Sequence, residues 1–149
     1  MGIIINRPAG LKLSEVLEQI DIEIVEEKLA DQPIYIGGPV QPDRGFVIHP
    51  PGSIWESTLQ INDLLNITTS KDILRAITER KGPKNSLVAL GYAGWGAGQL
   101  EQEIADNTWL SGPADPDIIF HCSADKRWAA AAKLLGVDLN LISSVAGHA

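Results

Sequence analysis

A glycine-rich stretch, GYAGWGAGQLEQEI (residues 91–104), holds the residue types in this sequence that could form a phosphate-binding loop. It follows an apolar run typical of a strand and precedes a pattern typical of a helix, as phosphate loops do. Its glycines repeat as G-x-G-x-G, without the lysine of one loop class or the spacing of the other. Glu101 and Glu103 at the helix start would repel a phosphate. The glycines are therefore interpreted as architectural, permitting positive φ and close main-chain approach around Trp95.

The same loop leaves room for an uncharged or cationic ligand. Tyr92 and Trp95 offer aromatic faces, and Gln99 and Glu101 offer polar contacts. The alternative interpretation is that the aromatic rings fill the space beside the glycines while their polar atoms bond to main chain. The sequence favours this second interpretation and keeps the first open.

QPDRGFVIHP (residues 41–50) is a second polar cluster, in which Asp43 and Arg44 precede a glycine turn and His49 ends a β-rich run. Arg44 has the geometry to clamp a carboxylate, and His49 could titrate near neutral pH. A local turn, with Asp43 bonded to main chain and Arg44 paired to an acid, is the favoured alternative. The candidate ligand-binding residues of the two motifs are Arg44, His49, Tyr92, Trp95, Gln99 and Glu101.

Cys122, the only cysteine, is a further candidate because a thiol beside an imidazole forms a nucleophile and base pair. The imidazole would come from His49, His121 or His148, and His121 is expected on the opposite face of the strand PDIIFHC. A lone strand cysteine is more typical of an inert core position. The chain contains neither an H-x-x-x-H nor a C-x-x-C metal motif. No catalytic residue, metal site or cofactor is therefore assigned, and enzymatic turnover is not favoured.

The composition restricts the class of protein. The 149 residues fit one domain, and the formal net charge of −7 disfavours direct binding to nucleic acid or to an anionic membrane surface. One cysteine permits no intrachain disulfide, and the longest apolar stretches are too short for a membrane span or a signal peptide. These features favour the cytoplasm.

Hydrophobic periodicity predicts the elements that position these residues. Helices are predicted in KLSEVLEQI, TTSKDILRAITERKGP, GQLEQEIADNTWL and SADKRWAAAAKLLGV, the last with a buried stripe of Trp128, Ala131, Ala132 and Leu135. Strands are predicted in GIIIN, QPIYIGGPV, RGFVIHPPG, SIWESTLQI, NSLVALGYAG and PDIIFHC. The irregular order of the elements favours an α+β fold over a doubly wound sheet.

Five segments taken together resemble the AlgH family of uncharacterised bacterial proteins, also called YqgE-like. They are MGIIINRP, GGPVQPDRGFVIHP, ALGYAGWGAGQLEQEIADNTWL, KRW and the terminal AGHA, and the resemblance covers nearly the whole chain. It implies one domain over residues 1–149, with a mixed sheet curled into a partial barrel and helices outside it. Relatives usually carry an earlier strand-rich segment, so this chain is expected to lack that part.

The resemblance implies no known reaction, although family members are sometimes named as transcriptional regulators. The excess of acidic residues disfavours binding to DNA, so any regulatory role is expected to be indirect. The first hypothesis is therefore a cytoplasmic interaction or regulatory protein that binds an unknown protein partner without turnover. The second is a small-molecule binder or enzyme with its site between the two motifs. The oligomeric state stays open.

Overall fold

A computed structural model describes residues 1–138 of the chain, so His148 and the terminal AGHA segment lie outside the described residues. Within that range one sheet of six strands runs in the order β1-β2-β6-β3-β5-β4. The strands are β1 (Pro8–Lys12), β2 (Pro33–Ile36), β3 (Val40–His49), β4 (Thr58–Gln60), β5 (Asn66–Thr68) and β6 (Leu87–Tyr92). β2 and β6 are parallel and every other neighbouring pair is antiparallel, so the sheet is mixed.

Six helices flank this sheet over the same range of residues. They are α1 (Leu13–Gln19), α2 (Glu27–Ala30), α3 (Lys71–Thr78), α4 (Gln99–Ala105), α5 (Pro116–His121) and α6 (Ala124–Leu134). The fold class is therefore α+β with a mixed sheet and flanking helices, as predicted. The sheet does not close, because β1 and β4 stand at opposite edges.

The sheet is covered on both faces, and consecutive residues of its central strands enter different cores. On β6, Val88 packs with α1 and α3 residues in one core, whereas Leu87 and Ala89 lie in the other core with Ile119 of α5. Strand side chains alternate between faces, so a strand buried on both sides must be apolar at nearly every position. This explains why SLVAL and FVI read as continuous apolar runs.

β3 and β6 form the centre of the sheet and bring the two sequence motifs side by side. Phe46 pairs with Ala89, Val47 with Val88 and Ile48 with Leu87, and the pairing resumes beyond an irregular stretch at Val40 and Tyr92. The predicted strands β2, β3 and β6 and the predicted helices at α1, α3, α4 and α6 are confirmed. The strand expected in SIWESTLQI is shorter, since β4 covers only Thr58–Gln60.

The segment PDIIFHC was expected to be a strand, and this is wrong. Residues Pro116–His121 form α5, in which Asp115 caps the helix by accepting a hydrogen bond from the Asp117 amide at 2.9 Å. Proline fits the first helical position because it has no amide hydrogen to lose. The Asp-Pro helix start therefore outweighs the strand signal of the apolar run. His121 ends the helix and Cys122 follows it, so the two residues do not lie on opposite faces of a strand, contrary to expectation.

The other two corrections concern the chain ends of the described region. The expected strand GIIIN makes only one bridge, between Gly2 and Ala93, because its next main-chain bond goes to a different segment at Gly37.

The predicted stripe on α6 is also wrong in part. Ala132 is buried as expected, but Arg127 is the other buried residue of the helix and Trp128 is half exposed.

Glycines allow β2 and β6 to continue into turns that pass close to each other. Gly37 and Gly38 lie against the main chain of Gly91 and Tyr92, where a Cβ atom on either glycine would overlap main-chain atoms. Gly91 itself has φ +74°, and a Cβ there would overlap the carbonyl oxygen of Gly38. No residue with a side chain fits these positions unless the turns separate.

The substitution Gly91→Ala is expected to lower the free energy of unfolding by about 2 kcal/mol or more, because positive φ and the overlap with Gly38 both oppose a methyl group. Gly45→Ala is the matched control, since a Cβ at Gly45 meets nothing within 4 Å. Its stability should be unchanged or raised by up to about 1 kcal/mol. Urea denaturation midpoints measure both effects, and equal midpoints for the two variants would contradict the account.

Candidate functional site

Arg44 and Tyr92, two of the predicted ligand-binding residues, meet on one face of the sheet. The guanidinium of Arg44 lies over the ring of Phe46 at 5.6 Å, and Phe46 contacts Tyr92 edge-on at 5.8 Å between ring centroids. Arg44 and Tyr92 line a cavity of about 350 Å³ together with Leu59 and Ile67. Arg44 is not paired to Asp43; it donates a hydrogen bond to Gln41 Oε1 at 3.3 Å.

His49 lies on the opposite face of β3 from Arg44. Its side chain has no exposed surface, and Trp55 packs edge-on against the imidazole at 5.1 Å. Nδ1 is 2.8 Å from the carbonyl oxygen of Pro50, and Nε2 is 2.8 Å from Thr68 Oγ1. A carbonyl can only accept, so we assign the proton to Nδ1 and a donated Thr68 hydroxyl to Nε2. Burial lowers the pKa of His49, which keeps the imidazole neutral at pH 7.

The glycine-rich loop is organised around the carboxylate of Glu103. Trp95 Nε1 and Trp109 Nε1 both donate to Glu103 Oε2, at 3.1 and 2.7 Å. Gln99 Nε2 donates to the other oxygen at 3.0 Å. The two indoles meet edge-on, with ring centroids 6.1 Å apart. These hydrogen bonds, from Trp109 first and then from Gln99 and Trp95, lower the pKa of Glu103.

This arrangement bears on the phosphate-loop interpretation. The Gly96 amide, which a phosphate would need, donates to Gln99 Oε1 at 3.0 Å. Gly98 takes φ +76° before the first turn of α4, as an architectural glycine does. The glycine that approaches the Trp95 ring is Gly2, where a Cβ would lie 2.9 Å from the indole, whereas Cβ atoms at Gly94 and Gly96 would have normal room. The Gly96 amide is therefore bonded within the loop, as expected of an architectural loop. The glycine that lies closest to the Trp95 indole, however, is Gly2 of the N-terminal segment.

An open, largely apolar groove lies between the N-terminal segment, the glycine-rich loop and α6. Its volume is about 500 Å³. We call it the tryptophan groove, and its lining residues are Gly2, Ile3, Ile4, Ile5, Asn6, Ala93, Trp95, Trp109, Ile118, Arg127, Trp128 and Ala131. Of the six predicted ligand-binding residues only Trp95 lines it. Trp109 and Trp128 were missed as site residues, although the presence of four tryptophans in 149 residues was a usable signal.

Arg127 provides the charged group of the tryptophan groove and was not predicted. Only 7% of the residue is exposed. Nε donates to the Cys122 carbonyl at 3.1 Å, Nη1 to the Ile5 carbonyl, and Nη2 to Tyr35 Oη at 3.3 Å, with the guanidinium 4.8 Å from the Tyr35 ring centroid. Among residues 1–138 no carboxylate forms an ion pair with it. Arg127 thus joins α6 to the N-terminal segment and to β2, and its charge is not balanced by any carboxylate of residues 1–138.

The remaining candidate residues do not converge on this groove. Glu101 is exposed on α4, and Gln99 donates a hydrogen bond to the Glu103 carboxylate. Cys122 follows α5 and is half buried. Both ring nitrogens of His49 are occupied by Pro50 and Thr68, so His49 does not supply the base for a thiol pair.

Two further properties apply to the described part of the chain. Between residues 1 and 138, no cluster of three or more His, Cys, Asp or Glu side chains is arranged to hold a metal ion. None of the helices in this range combines the length and the apolar character that crossing a bilayer requires.

Fold and site together define an α+β protein with one open mixed sheet and an aromatic surface groove. A family model described as AlgH-like matches residues 1–140. The chain belongs to the AlgH-like family, which confirms the resemblance seen in the sequence.

Individual relatives agree with this assignment. The chain is 59% identical to a UPF0301 protein of Thioalkalivibrio sulfidiphilus over 149 residues, covering all of this chain and 80% of the relative. A UPF0301 protein of Methylococcus capsulatus is 52% identical, with 99% and 79% of the two chains covered. The solution structure of the AlgH protein from Pseudomonas aeruginosa is similar at a TM-score of 0.79, with 52% identity over all of this chain and 79% of that one.

A more distant structure shares the fold alone. A crystal structure of a protein from Corynebacterium diphtheriae is 18% identical and has a TM-score of 0.66, covering 89% of this chain and 69% of that one.

Glu103→Gln is expected to shift tryptophan emission and lower the melting temperature, because an amide cannot accept from both indoles and from Gln99 as the carboxylate does. Since the folded pKa of Glu103 lies below its ordinary value of 4.5, this stabilisation is present above pH 4.5 and is lost as the pH falls through the folded pKa. An acid titration of tryptophan emission should therefore show a step below pH 4.5 that Glu103→Gln lacks.

Glu101→Gln is the matched control for this experiment, because it removes the same charge from an exposed position of the same helix. Its emission and its acid step should be those of the unmodified protein. If both variants behave alike, the carboxylate of Glu103 does not organise the two indoles.

Proposed function

We propose that this protein acts by binding another protein at the tryptophan groove, without catalytic turnover. The observation that carries the proposal is the exposure of large aromatic side chains around one concave apolar surface. Trp128 is 49% exposed and Trp109 is 37% exposed, both at the groove. Contiguous exposed apolar surface is uncommon on soluble proteins unless it binds something, and tryptophan and arginine are enriched at the energetic centres of protein interfaces.

The distribution of acid–base groups also supports binding over catalysis. His49 is buried on the far side of β3 with both ring nitrogens bonded. Glu103 lies beside the groove, but its carboxylate accepts three hydrogen bonds that hold it ionised. A general acid or base must exchange a proton near neutral pH, and neither group is placed to do so.

The same proposal covers the regulatory role that the resemblance seen in the sequence implies. With a formal net charge of −7, the protein would be repelled by a phosphate backbone, so any effect on transcription is proposed to pass through the bound protein. We propose the cytoplasm as the location, on the ground that one cysteine permits no intrachain disulfide.

Trp128→Glu in an affinity-tagged protein is expected to abolish retention of its partner from a native lysate of the source bacterium. A charge at the groove opposes burial of that surface, and Trp128 is half exposed, so the fold should survive. Ile54→Glu is the control, because Ile54 is 81% exposed and does not line the groove. Circular dichroism should show that both variants are folded. Equal retention by the two variants, or turnover of a small molecule with no partner retained, would refute the proposal.

Binding of a small molecule is a second candidate function, favoured by the cavity that Arg44 and Tyr92 share. Phe46, Leu59 and Ile67 make its walls largely apolar, and Arg44 supplies a guanidinium at its margin. This combination suits a small carboxylate with an apolar body. This proposed site takes Arg44 from one motif and Tyr92 from the other, and it lies on the face of the sheet that His49 does not reach.

A thermal-shift screen of apolar carboxylates tests this second candidate, because a ligand that binds only the folded state raises the melting temperature. A hit at this cavity should lose its shift in Arg44→Met. It should keep its shift in Arg75→Met, which removes an exposed arginine from α3, on another element. A shift that persists in Arg44→Met would place the ligand elsewhere and remove the basis of this candidate.

A further inference from the structure

His49 is the inner end of a continuous chain of hydrogen bonds. The Trp55 amide donates to Thr58 Oγ1 at 2.9 Å, and the hydroxyl oxygens of Thr58 and Thr68 are 2.8 Å apart. Thr68 Oγ1 in turn lies 2.8 Å from Nε2 of His49. Thr68 has one hydroxyl proton and donates it to Nε2, so the proton between the two hydroxyls must come from Thr58. Every proton in the chain therefore points from Trp55 towards the neutral imidazole.

Protonation of His49 would reverse this chain. An imidazolium donates from both ring nitrogens, so Nδ1 can keep its bond to the Pro50 carbonyl while Nε2 changes from acceptor to donor. If Thr68 accepts from Nε2, its own proton has to turn towards Thr58. Thr58 then accepts from both Thr68 and the Trp55 amide, and its hydroxyl proton loses its acceptor. The arrangement thus fits the neutral ring and opposes the charged one.

Asn66 offers the charged ring a different acceptor. It is the cross-strand partner of His49 in the pairing of β3 with β5, so the two side chains project from the same face as neighbours. Asn66 is 5% exposed, and among residues 1–138 its Oδ1 is the buried side-chain polar atom without a hydrogen-bond partner. A buried acceptor without a donor costs free energy. The neutral imidazole has no N–H left for it, whereas the protonated ring has one.

The β3–β4 connection, residues 50–57, is held in place by Trp55. The indole packs edge-on against the imidazole of His49, at 5.1 Å between ring centroids, and against the core that α1 and α3 cover. The preceding residues 51–54 are exposed and form no hydrogen bond within residues 1–138. A change in the orientation of the imidazole therefore removes the support of the indole, and residues 51–54 add no bond that would keep the connection closed.

We propose that the β3–β4 connection is an acid-sensitive flap. One proton from the solvent binds Nε2 of His49, the ring turns so that this N–H donates to Asn66 Oδ1, and Trp55 leaves the ring while the sheet stays paired. The hydroxyls of Thr58 and Thr68 are then free to bond to each other and to water. Opening uncovers the apolar core on which Trp55 packs. The flap is independent of the proposed partner-binding groove, because Trp55 does not line that groove.

No neighbouring charge stabilises the protonated ring in the closed flap. Within residues 1–138, no charged side chain forms an ion pair or a hydrogen bond with His49. The flanking strands β4 and β5 contain no titratable residue. The charged side chains of β3, the connection and the two covering helices are Asp43, Arg44, Glu56, Lys71, Asp72, Arg75, Glu15 and Glu18. Burial and hydrogen bonding therefore govern the titration of His49.

The pH range of opening follows from the burial of His49. Burial lowers the pKa of His49 from its ordinary 6.5, although the bond to the Pro50 carbonyl opposes this effect. The neutral ring, and with it the closed flap, is therefore favoured above pH 6.5, and opening takes place below that pH.

The far end of the connection stays attached over the same range. Asp72 Oδ2 accepts from the Glu56 amide at 2.8 Å. Partial burial opposes ionisation of Asp72, but hydrogen bonds from the Ser70 hydroxyl and from main-chain amides lower its pKa below the ordinary 3.8. The flap is therefore expected to open at Trp55 while the ionised Asp72 still holds Glu56.

Fluorine NMR of the protein labelled with fluorinated tryptophan tests the flap directly, and Trp55→Phe identifies the signal of Trp55. Nitrogen NMR of the imidazoles reports the protonation and the tautomer of His49. As the pH falls below 6.5, the two signals should change with a common midpoint. Circular dichroism should stay unchanged, because the sheet remains paired. The Trp55 signal also separates this step from that of Glu103, which is bonded to Trp95 and Trp109.

Two variants should move the midpoint in opposite directions. Asn66→Leu removes the acceptor of the protonated ring, so the midpoint should fall by about one pH unit, a tenfold loss of proton affinity. Its stability at neutral pH should not fall, because the oxygen that it removes is unpaired. Thr68→Val removes the donor to the neutral ring, so the midpoint should rise by a similar amount. Gln60→Leu makes the same amide-to-leucine change at an exposed position opposite Asn66 and should leave the midpoint unchanged.

His49→Gln and Asp72→Asn show which group carries the transition. His49→Gln removes the titrating ring and should abolish the change in the Trp55 signal, whereas Asp72→Asn should keep it. Circular dichroism at neutral pH shows whether His49→Gln is folded. If it is not, the opposite shifts expected of Asn66→Leu and Thr68→Val decide the question.

Three results would overturn the proposal. The first is an imidazole that titrates while the Trp55 signal stays constant. The second is loss of the circular dichroism signal at the same midpoint, which would show global unfolding instead of a local opening. The third is an Asn66→Leu midpoint equal to that of the unmodified protein. None of these results changes the capture of a partner through Trp128 at neutral pH, so the proposed function is tested separately.

Discussion

The antiparallel pairing of β3 with β6 is the constraint on which the rest of the structure depends. Their paired stretches, Phe46–Ile48 on β3 and Leu87–Ala89 on β6, are apolar and buried, so they can only lie where the sheet is covered from both sides. The turns that follow β2 and β6 must then pass each other at main-chain contact, which glycine at 37, 38 and 91 permits. The position of the glycine-rich loop, and with it of Trp95, follows from that contact.

Two charged side chains lie beside the tryptophan groove, and they differ in their burial and in their hydrogen-bond partners. Glu103 accepts hydrogen bonds from two indoles and an amide. These bonds stabilise the ionised carboxylate and lower its pKa. Arg127 is nearly buried and is held by two carbonyls and a phenol, and within residues 1–138 it has no counter-ion. The carboxylate of Glu103 thus holds the two indoles and Gln99 together, whereas the guanidinium of Arg127 links α6 to the Ile5 carbonyl and to Tyr35.

Sequence reasoning succeeded where one local signal was strong and unopposed. The periodic apolar residues of α1 and α3 and the apolar runs of β2, β3 and β6 predicted the correct elements, and the long motifs predicted the family. It failed at α5, where an apolar run typical of a strand competed with an Asp-Pro helix start. It also failed at Arg127, because a helical arginine beside alanines is usually exposed, and only the position of Tyr35 and of the Ile5 carbonyl explains its burial.

The same distinction between local signals and tertiary packing applies to the candidate site. From the sequence alone came the family, the α+β class and the acidic character, since each of these depends on composition or on residues close together in the chain. Only the tertiary structure decided which candidates meet. The alternation of β3 put Arg44 and His49 on opposite faces, and packing of α6 against the N-terminal segment joined Trp95 to Trp128. A groove assembled from residues 2–6, 93–109 and 118–131 has no local signature, because its walls become neighbours only when the sheet and the helices pack.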